Sequence, residues 1–489
     1  MKKLKNYING KWTESKSNKY LNVKDPGSGE IISNVPEGCF EDVNLAASAA
    51  AEAFLKWRNT PAEKRIQYLF KMKTILENNA DEIAAISTKE CGKTFSESKA
   101  EIVRAVENIE VACGIPTLMQ GEFSEDISAG IDEYVIRQPL GVGSCIAPFN
   151  FPIMITFWFM PYAIAAGNTY IVKPSEKVPE TMTRIFELLE ELKLPEGVLN
   201  LVHGGKETVD GILKHPDIKA ISFVGSSNIA KYVYSEGTKH GKRVQAQGGA
   251  KNPVVIMPDA DLETTTNIIA DSVYGCAGQR CLAASTVILV GEAKEKFTNK
   301  LIDAAKSKTT CYGLDNSSQM GAIITKESKE RILKIIGEAE NKGAKILLDG
   351  RNKNVDNYEG GNYIFPTIIE NAPIDTDAAT TEIFGPVMNL KYADNLSEAI
   401  DFINNSKYGN AACIFTSDGS SARKFRHDVV AGNIGVNIGI AAPMAFFPFS
   451  GWKESFFGDL HGQSKHAVEF YTQTKVVIER WYSEWTRRF

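Results

Sequence analysis

From Val142 onward, short apolar runs alternate with stretches in which apolar residues recur every three to four positions. Val142–Pro148 (VGSCIAP) and Asn168–Val172 (NTYIV) read as strands. Met182–Leu192 places Ile185, Leu188, Leu189 and Leu192 on one face, the period of a helix. Val198–Val202 and Ala220–Val224 resume strand character before glycine-containing turns. A second series starts near Asn252, with strands at Pro253–Met257, Thr286–Val290, Ala344–Leu348 and Ala411–Thr416. Helices are expected at Leu262–Tyr274, Glu295–Ser307 and Ser328–Lys342. Strands alternating with helices of this length predict βαβ units and mostly parallel sheets, hence an α/β fold. A boundary is placed near residue 248, at a Gly-Gly-Ala stretch. Phe151–Ala166 (FPIMITFWFMPYAIAA) is shorter than the ~20 apolar residues that span a bilayer, and Pro152 and Pro161 interrupt it, so a buried helix is expected.

Two segments stand outside this rhythm. Glu122–Gln138 is polar with an alternating end, and Phe470–Ile478 is strand-like. As edges they can pair with each other or with another subunit, and plain edge strands fit equally well. At 489 residues, the chain exceeds one ordinary core, so two or three packed units are expected. A net charge of −5 supplies no basic footprint for nucleic acid. The run Lys239–Arg243 is short, and a solvated helix end or turn is expected there. MKKLKNYINGKW carries no apolar stretch of the secretory type, and the eight cysteines form no CxxC pair. Reduced thiols in a cytoplasmic protein, with no membrane span and no metal site, are the expectation.

Candidate chemistry clusters in four places. Cys281 follows Gly278, Gln279 and Arg280. A glycine admits close backbone approach, and an adjacent guanidinium favours thiolate, so Cys281 suits a nucleophile as well as a small buried hydrophobe. Asn150 lies within PFNFP (148–152), either as a stiffly held donor to an oxyanion or as a turn former. Lys173 and Glu176 in KPSE (173–176) follow a strand, where an α/β sheet binds nucleotides; helix capping explains the same pair. FVGSS (223–227) is another strand–turn–helix corner, without a complete GxGxxG.

Taken with EIFGP (382–386) and FYTQTK (470–475), these motifs resemble those of the aldehyde dehydrogenase superfamily in order and spacing, over nearly the whole chain. The resemblance implies an aldehyde dehydrogenase fold: a Rossmann-like NAD-binding domain (1–120 and 140–247), an α/β catalytic domain (248–445) and a small β oligomerisation element (121–139 and 463–489). It implies a homotetramer, as a dimer of dimers. Cys281 is implied as nucleophile, with Asn150 and the Cys281 N–H as oxyanion donors. Ala147, Phe149, Lys173, Glu176, Lys177, Ser226, Gly248, Glu382 and Phe384 are implied in holding the cofactor. Glu176 at the ribose hydroxyls favours NAD over NADP.

One departure is informative. Where most members carry a glutamate that activates water, this chain has Gln247, which cannot accept a proton at neutral pH. Coenzyme A needs no such base. With GKRVQA (241–246), GAKN (249–252) and HPDIKAISFVGS (215–226), this looks like the coenzyme-A-acylating malonate and methylmalonate semialdehyde dehydrogenases. That branch implies Gln247 at the deacylation site and Arg104 and Arg280 on the substrate carboxylate. A dehydrogenase releasing free acid is the alternative; a silent structural homologue and a thiol hydrolase rank below both.

Overall fold

The computed structural model describes residues 2–481, so residues 482–489 of the expected oligomerisation element lie outside it. Its largest sheet has eight strands, in the spatial order Phe456–Phe457, Arg243–Gln247, Ile218–Val224, Val142–Ile146, Thr169–Lys173, Leu199–Leu201, Asn6–Ile8 and Lys11–Thr13. The five from Arg243–Gln247 to Leu199–Leu201 are parallel. Val142–Ile146 and Thr169–Lys173 are buried along their whole lengths, because helices cover both faces of a parallel sheet. Chain order runs outward from Val142–Ile146 on one side and then resumes with Ile218–Val224 on the other. This reversal makes a switch point, and the crevice beyond the strands' carboxyl ends there is where such sheets hold ligands.

A second sheet has seven strands, ordered Lys345–Leu348, Thr367–Glu370, Val387–Ala393, Thr286–Val290, Pro253–Ile256, Ala411–Phe415 and Asn433–Val436. All its pairings are parallel except the first. Each large sheet has apolar cores of its own. Phe123–Ser128, Ile131–Pro139 and Thr472–Arg480 form a third sheet, so the two outlying segments pair with each other, from Thr472 opposite Pro139 to Arg480 opposite Ile131. Phe123, Ile127, Val476 and Ile478 on this sheet are exposed.

Two expectations need correction. Phe151–Ala166 is not one helix but two short ones, Met154–Phe157 and Met160–Ala166. Pro161 lies in the first turn of the second, where its missing N–H costs nothing. In the basic run, Lys242 is buried rather than solvated; its Nζ donates to the carbonyls of His215 and Ile218. No helix among the described residues is long and apolar enough to cross a membrane.

Candidate active site

The carboxyl ends of the first sheet's parallel strands deliver one group of candidate residues. Ala147, Phe149 and Asn150 follow Val142–Ile146, Lys173 ends Thr169–Lys173, Ser226 follows Ile218–Val224, and Gln247 ends Arg243–Gln247. The amino ends of the second sheet's strands deliver the other group. Cys281 precedes Thr286–Val290, and Glu382 and Phe384 precede Val387–Ala393. The two groups meet where Asn150 Nδ2 donates to the Gln279 carbonyl at 2.9 Å, two residues before Cys281.

The loop before Cys281 is unusual backbone. Cys276, Ala277 and Gly278 all have positive φ, at 49°, 52° and 70°. A side chain at 278 would collide with the Gly385 carbonyl, so glycine is required there for packing as well as conformation. Glu97 accepts from the Cys276 N–H at 2.5 Å, and Gln279 Oε1 accepts from the Ile324 N–H at 3.0 Å. Cys281 itself is half-buried and packs against the apolar cluster that contains Trp158, Leu282 and Phe449. Burial, with the nearby Glu382 carboxylate, pushes its thiol pKa up to about 12, against the opposing pull of the Cys281 N–H, the Arg280 guanidinium and the Leu282 N–H.

Asn150 is braced from behind by residues the motif reading missed. Lys93 and Glu101 form an ion pair with side chains only 3% and 0% exposed. Lys93 Nζ donates to the Asn150 carbonyl at 3.3 Å and sits 4.9 Å above the Phe151 ring. Glu101 Oε1 accepts from the N–H groups of Ile153 and Met154, at 2.7 and 2.9 Å. These distant charges, Lys93 in the loop before helix Phe95–Cys113 and Glu101 within that helix, carry no local signature; only the rarity of a fully buried Lys–Glu pair points to a positioning role.

The remaining candidates have contacts of their own. Lys173 Nζ and Glu176 Oε2 are 3.3 Å apart; burial lowers the Lys173 pKa, and Lys173 holds the Glu176 carboxyl below its usual range. Ser226 is exposed at the amino end of helix Ser227–Lys239. Phe149 and Phe384 meet edge to face at 5.7 Å, and Lys177 Nζ lies 5.2 Å above the Phe149 ring. The Gly248 N–H donates to the Ser455 carbonyl at 2.9 Å. Glu382 lies against Gly249, and burial raises its carboxyl while Lys251 and Arg331 oppose the rise. Gln247 Nε2 donates to the Phe449 carbonyl at 2.8 Å.

The two arginines have their own partners. Arg104 Nη1 is 2.5 Å from Glu107 Oε2, and its Nη2 donates to the Pro443 carbonyl. Arg280 Nη2 donates to the carbonyls of Asp271 and Ser272 near the carboxyl end of helix Leu262–Tyr274. Arg280 Nε is buried without a partner among the described residues. No group of three metal-binding side chains occurs among those residues.

Residues 12–477 match the model of the aldehyde dehydrogenase family. The malonate-semialdehyde dehydrogenase of Halalkalibacterium halodurans is 46% identical over 479 residues, covering 98% of both chains. That of Lacticaseibacillus casei is 44% identical over 483 residues, covering 98% of this chain and 97% of its own. The solved structure of methylmalonate-semialdehyde dehydrogenase from Oceanimonas doudoroffii superposes with a TM-score of 0.97 at 40% identity, covering 99% of each chain. A Sinorhizobium meliloti structure assigned to the same activity and complexed with NAD matches at 0.97 and 41%, again over 99% of each chain.

Proposed function

The chain belongs to the aldehyde dehydrogenase family, and on that premise we propose that it oxidises malonate or methylmalonate semialdehyde with NAD and passes the acyl group to coenzyme A. The observation that carries the second half is Gln247: an amide, hydrogen-bonded to Phe449, stands where hydrolytic relatives need a base. The donor set suits NAD. In this reading the Lys173–Glu176 pair takes a ribose diol, the amino end of helix Ser227–Lys239 at Ser226 takes a pyrophosphate, and Phe149 with Phe384 walls a ring site.

Cys281 gives up its thiol proton to solvent, Sγ bonds to the aldehyde carbon, and the carbonyl electron pair moves to oxygen. The second amide proton of Asn150 and the Cys281 N–H receive that charge, since the first Asn150 proton is committed to Gln279. NAD, when bound, supplies the hydride acceptor. Cys281 then carries a thioester, whose β-carboxylate leaves as carbon dioxide while the bonding electrons pass into an enolate that takes a proton from solvent. Coenzyme A thiolate attacks the remaining acyl carbon and expels the Cys281 thiolate, giving acetyl-CoA or propionyl-CoA. Arg104 and Arg280 are the proposed carboxylate contacts: Arg104 exchanges Glu107 for the substrate, and Arg280 offers Nε.

The proposed domain division is 1–120 with 140–247 for cofactor, 248–445 for catalysis, and 121–139 with 463–489 for assembly; the separate sheets built by these segments support it, with the edge strand Phe456–Phe457 of the first sheet outside the division. The exposed apolar residues of the third sheet support a homotetramer, and eight unpaired cysteines support the cytoplasm. Stopped-flow NADH formation tests the chemistry. Without coenzyme A, a burst of about one NADH per site precedes slow turnover, and coenzyme A restores the fast rate. Fast turnover from the first cycle, unaffected by coenzyme A, would support the acid-releasing alternative instead.

A further inference from the structure

The carbonyl of Cys281 accepts two side-chain amides at once. Asn252 Nδ2 reaches it at 2.8 Å and Asn410 Nδ2 at 2.8 Å. Both asparagines are buried, and each immediately precedes a strand of the second sheet, Pro253–Ile256 and Ala411–Phe415, which are paired neighbours. The clamp is therefore anchored to rigid backbone rather than to the catalytic loop. Asn252 also has a scaffolding share: its Nδ2 donates to the Ala283 carbonyl at 3.0 Å, and its Oδ1 accepts from the Ala411 N–H at 3.1 Å. Among the described residues, the one hydrogen bond that the Asn410 side chain donates goes to Cys281.

A peptide unit is planar and trans, so fixing its carbonyl fixes the direction of its N–H on the opposite edge. For the Cys281 carbonyl, that N–H belongs to Leu282, the smallest of three groups that oppose the upward push of burial on the Cys281 thiol pKa. Two donors on the carbonyl also polarise the peptide and strengthen that N–H as a donor. Resting on Cys281 as the nucleophile, we propose that Asn252 and Asn410 are positioning residues that hold the Cys281–Leu282 peptide so that the Leu282 N–H faces Sγ. Neither asparagine touches substrate. Each acts through the peptide, on the formation and direction of the nucleophile.

Asn410→Ala is the cleaner probe. Below the thiol pKa, the alkylation rate of Cys281 tracks the thiolate fraction, so a rise of half to one pKa unit slows it about three- to tenfold. The rates of iodoacetamide and of bulkier N-ethylmaleimide, at Cys281 identified by peptide mapping, should fall by the same factor. A change in access alone would separate them. kcat should fall several-fold with KM for NAD unchanged. The isosteric Asn410→Asp carries the same test if the alanine variant does not fold, and its loss should ease at acidic pH, where a protonated carboxyl donates again. Alkylation within twofold of wild type, or unequal effects on the two reagents, in a variant that binds NAD normally would overturn the clamp. A different failure, aldehyde oxidation persisting after Cys281 is labelled, would overturn the nucleophile assignment instead.

Discussion

Glu101→Gln should damage both stability and catalysis, and the two effects should separate on a second substitution. The Glu101 carboxylate is fully buried, pairs with Lys93 and accepts the N–H groups of Ile153 and Met154. An amide keeps an oxygen for those N–H groups but leaves the buried Lys93 ammonium without a counter-charge. Breaking such a pair from one side costs about 3–5 kcal/mol. Unfolding entropy of about 2.1 cal/mol/K per residue amounts to roughly 1 kcal/mol/K for a chain this size, so Tm should fall by about 3–5 °C. Adding Lys93→Met removes the stranded charge and should restore most of that loss. It should not restore kcat, because the Lys93 contact to the Asn150 carbonyl is gone in the double variant. Calorimetry and initial rates on the single and double variants measure both quantities. A single variant within 1 °C of wild type, or a double variant that regains kcat along with Tm, would refute the proposed brace.

Further outcomes follow from the same geometry. Gln247→Glu should raise acyl-enzyme hydrolysis relative to transfer to coenzyme A, read as the ratio of free acid to thioester product; an unchanged ratio removes Gln247 from the deacylation site. Arg104→Leu should raise KM for a carboxylated semialdehyde at least tenfold more than for propanal, about 1.4 kcal/mol of lost carboxylate binding. Burial raises the Glu90 carboxyl pKa to about 8, although it accepts from the N–H groups of Glu180 and Thr181. The folded state thus holds a proton that the unfolded state has released, so this group erodes stability as pH rises from about 4.5 to 8. Glu90→Gln should flatten that decline, seen as a smaller Tm difference between pH 5.5 and pH 8 than in wild type.

Residues whose role depends on a local backbone feature were legible in the sequence. GQRC (278–281) advertises a tight approach, and the structure shows positive φ from Cys276 to Gly278 with the Gly385 carbonyl pressed against Gly278. KPSE (173–176) follows a strand, and Lys173 and Glu176 do pair there. The alternation of strands and helices likewise placed Leu262–Tyr274 and Thr286–Val290. What escaped depends on residues far apart in the chain. Lys93 and Glu101 brace a loop more than fifty residues away, and Asn252 and Asn410 converge on Cys281 only because their strands are neighbours. Nothing in a linear pattern of polar residues distinguishes such a buried amide from a turn former. The direction of Arg280 was equally hidden, since adjacency to Cys281 does not reveal that its Nη2 turns to Asp271 and Ser272.

The account stands or falls on an acyl group carried by Cys281. Incubation with malonate semialdehyde and NAD, without coenzyme A, followed by acid quench and peptide mass spectrometry, tests it directly. The predicted result is one acetyl group on the peptide containing Cys281, lost on adding coenzyme A with acetyl-CoA formed in equal amount. An unmodified Cys281 peptide during NADH formation, or an adduct released as free acid at the same rate without coenzyme A, would contradict it.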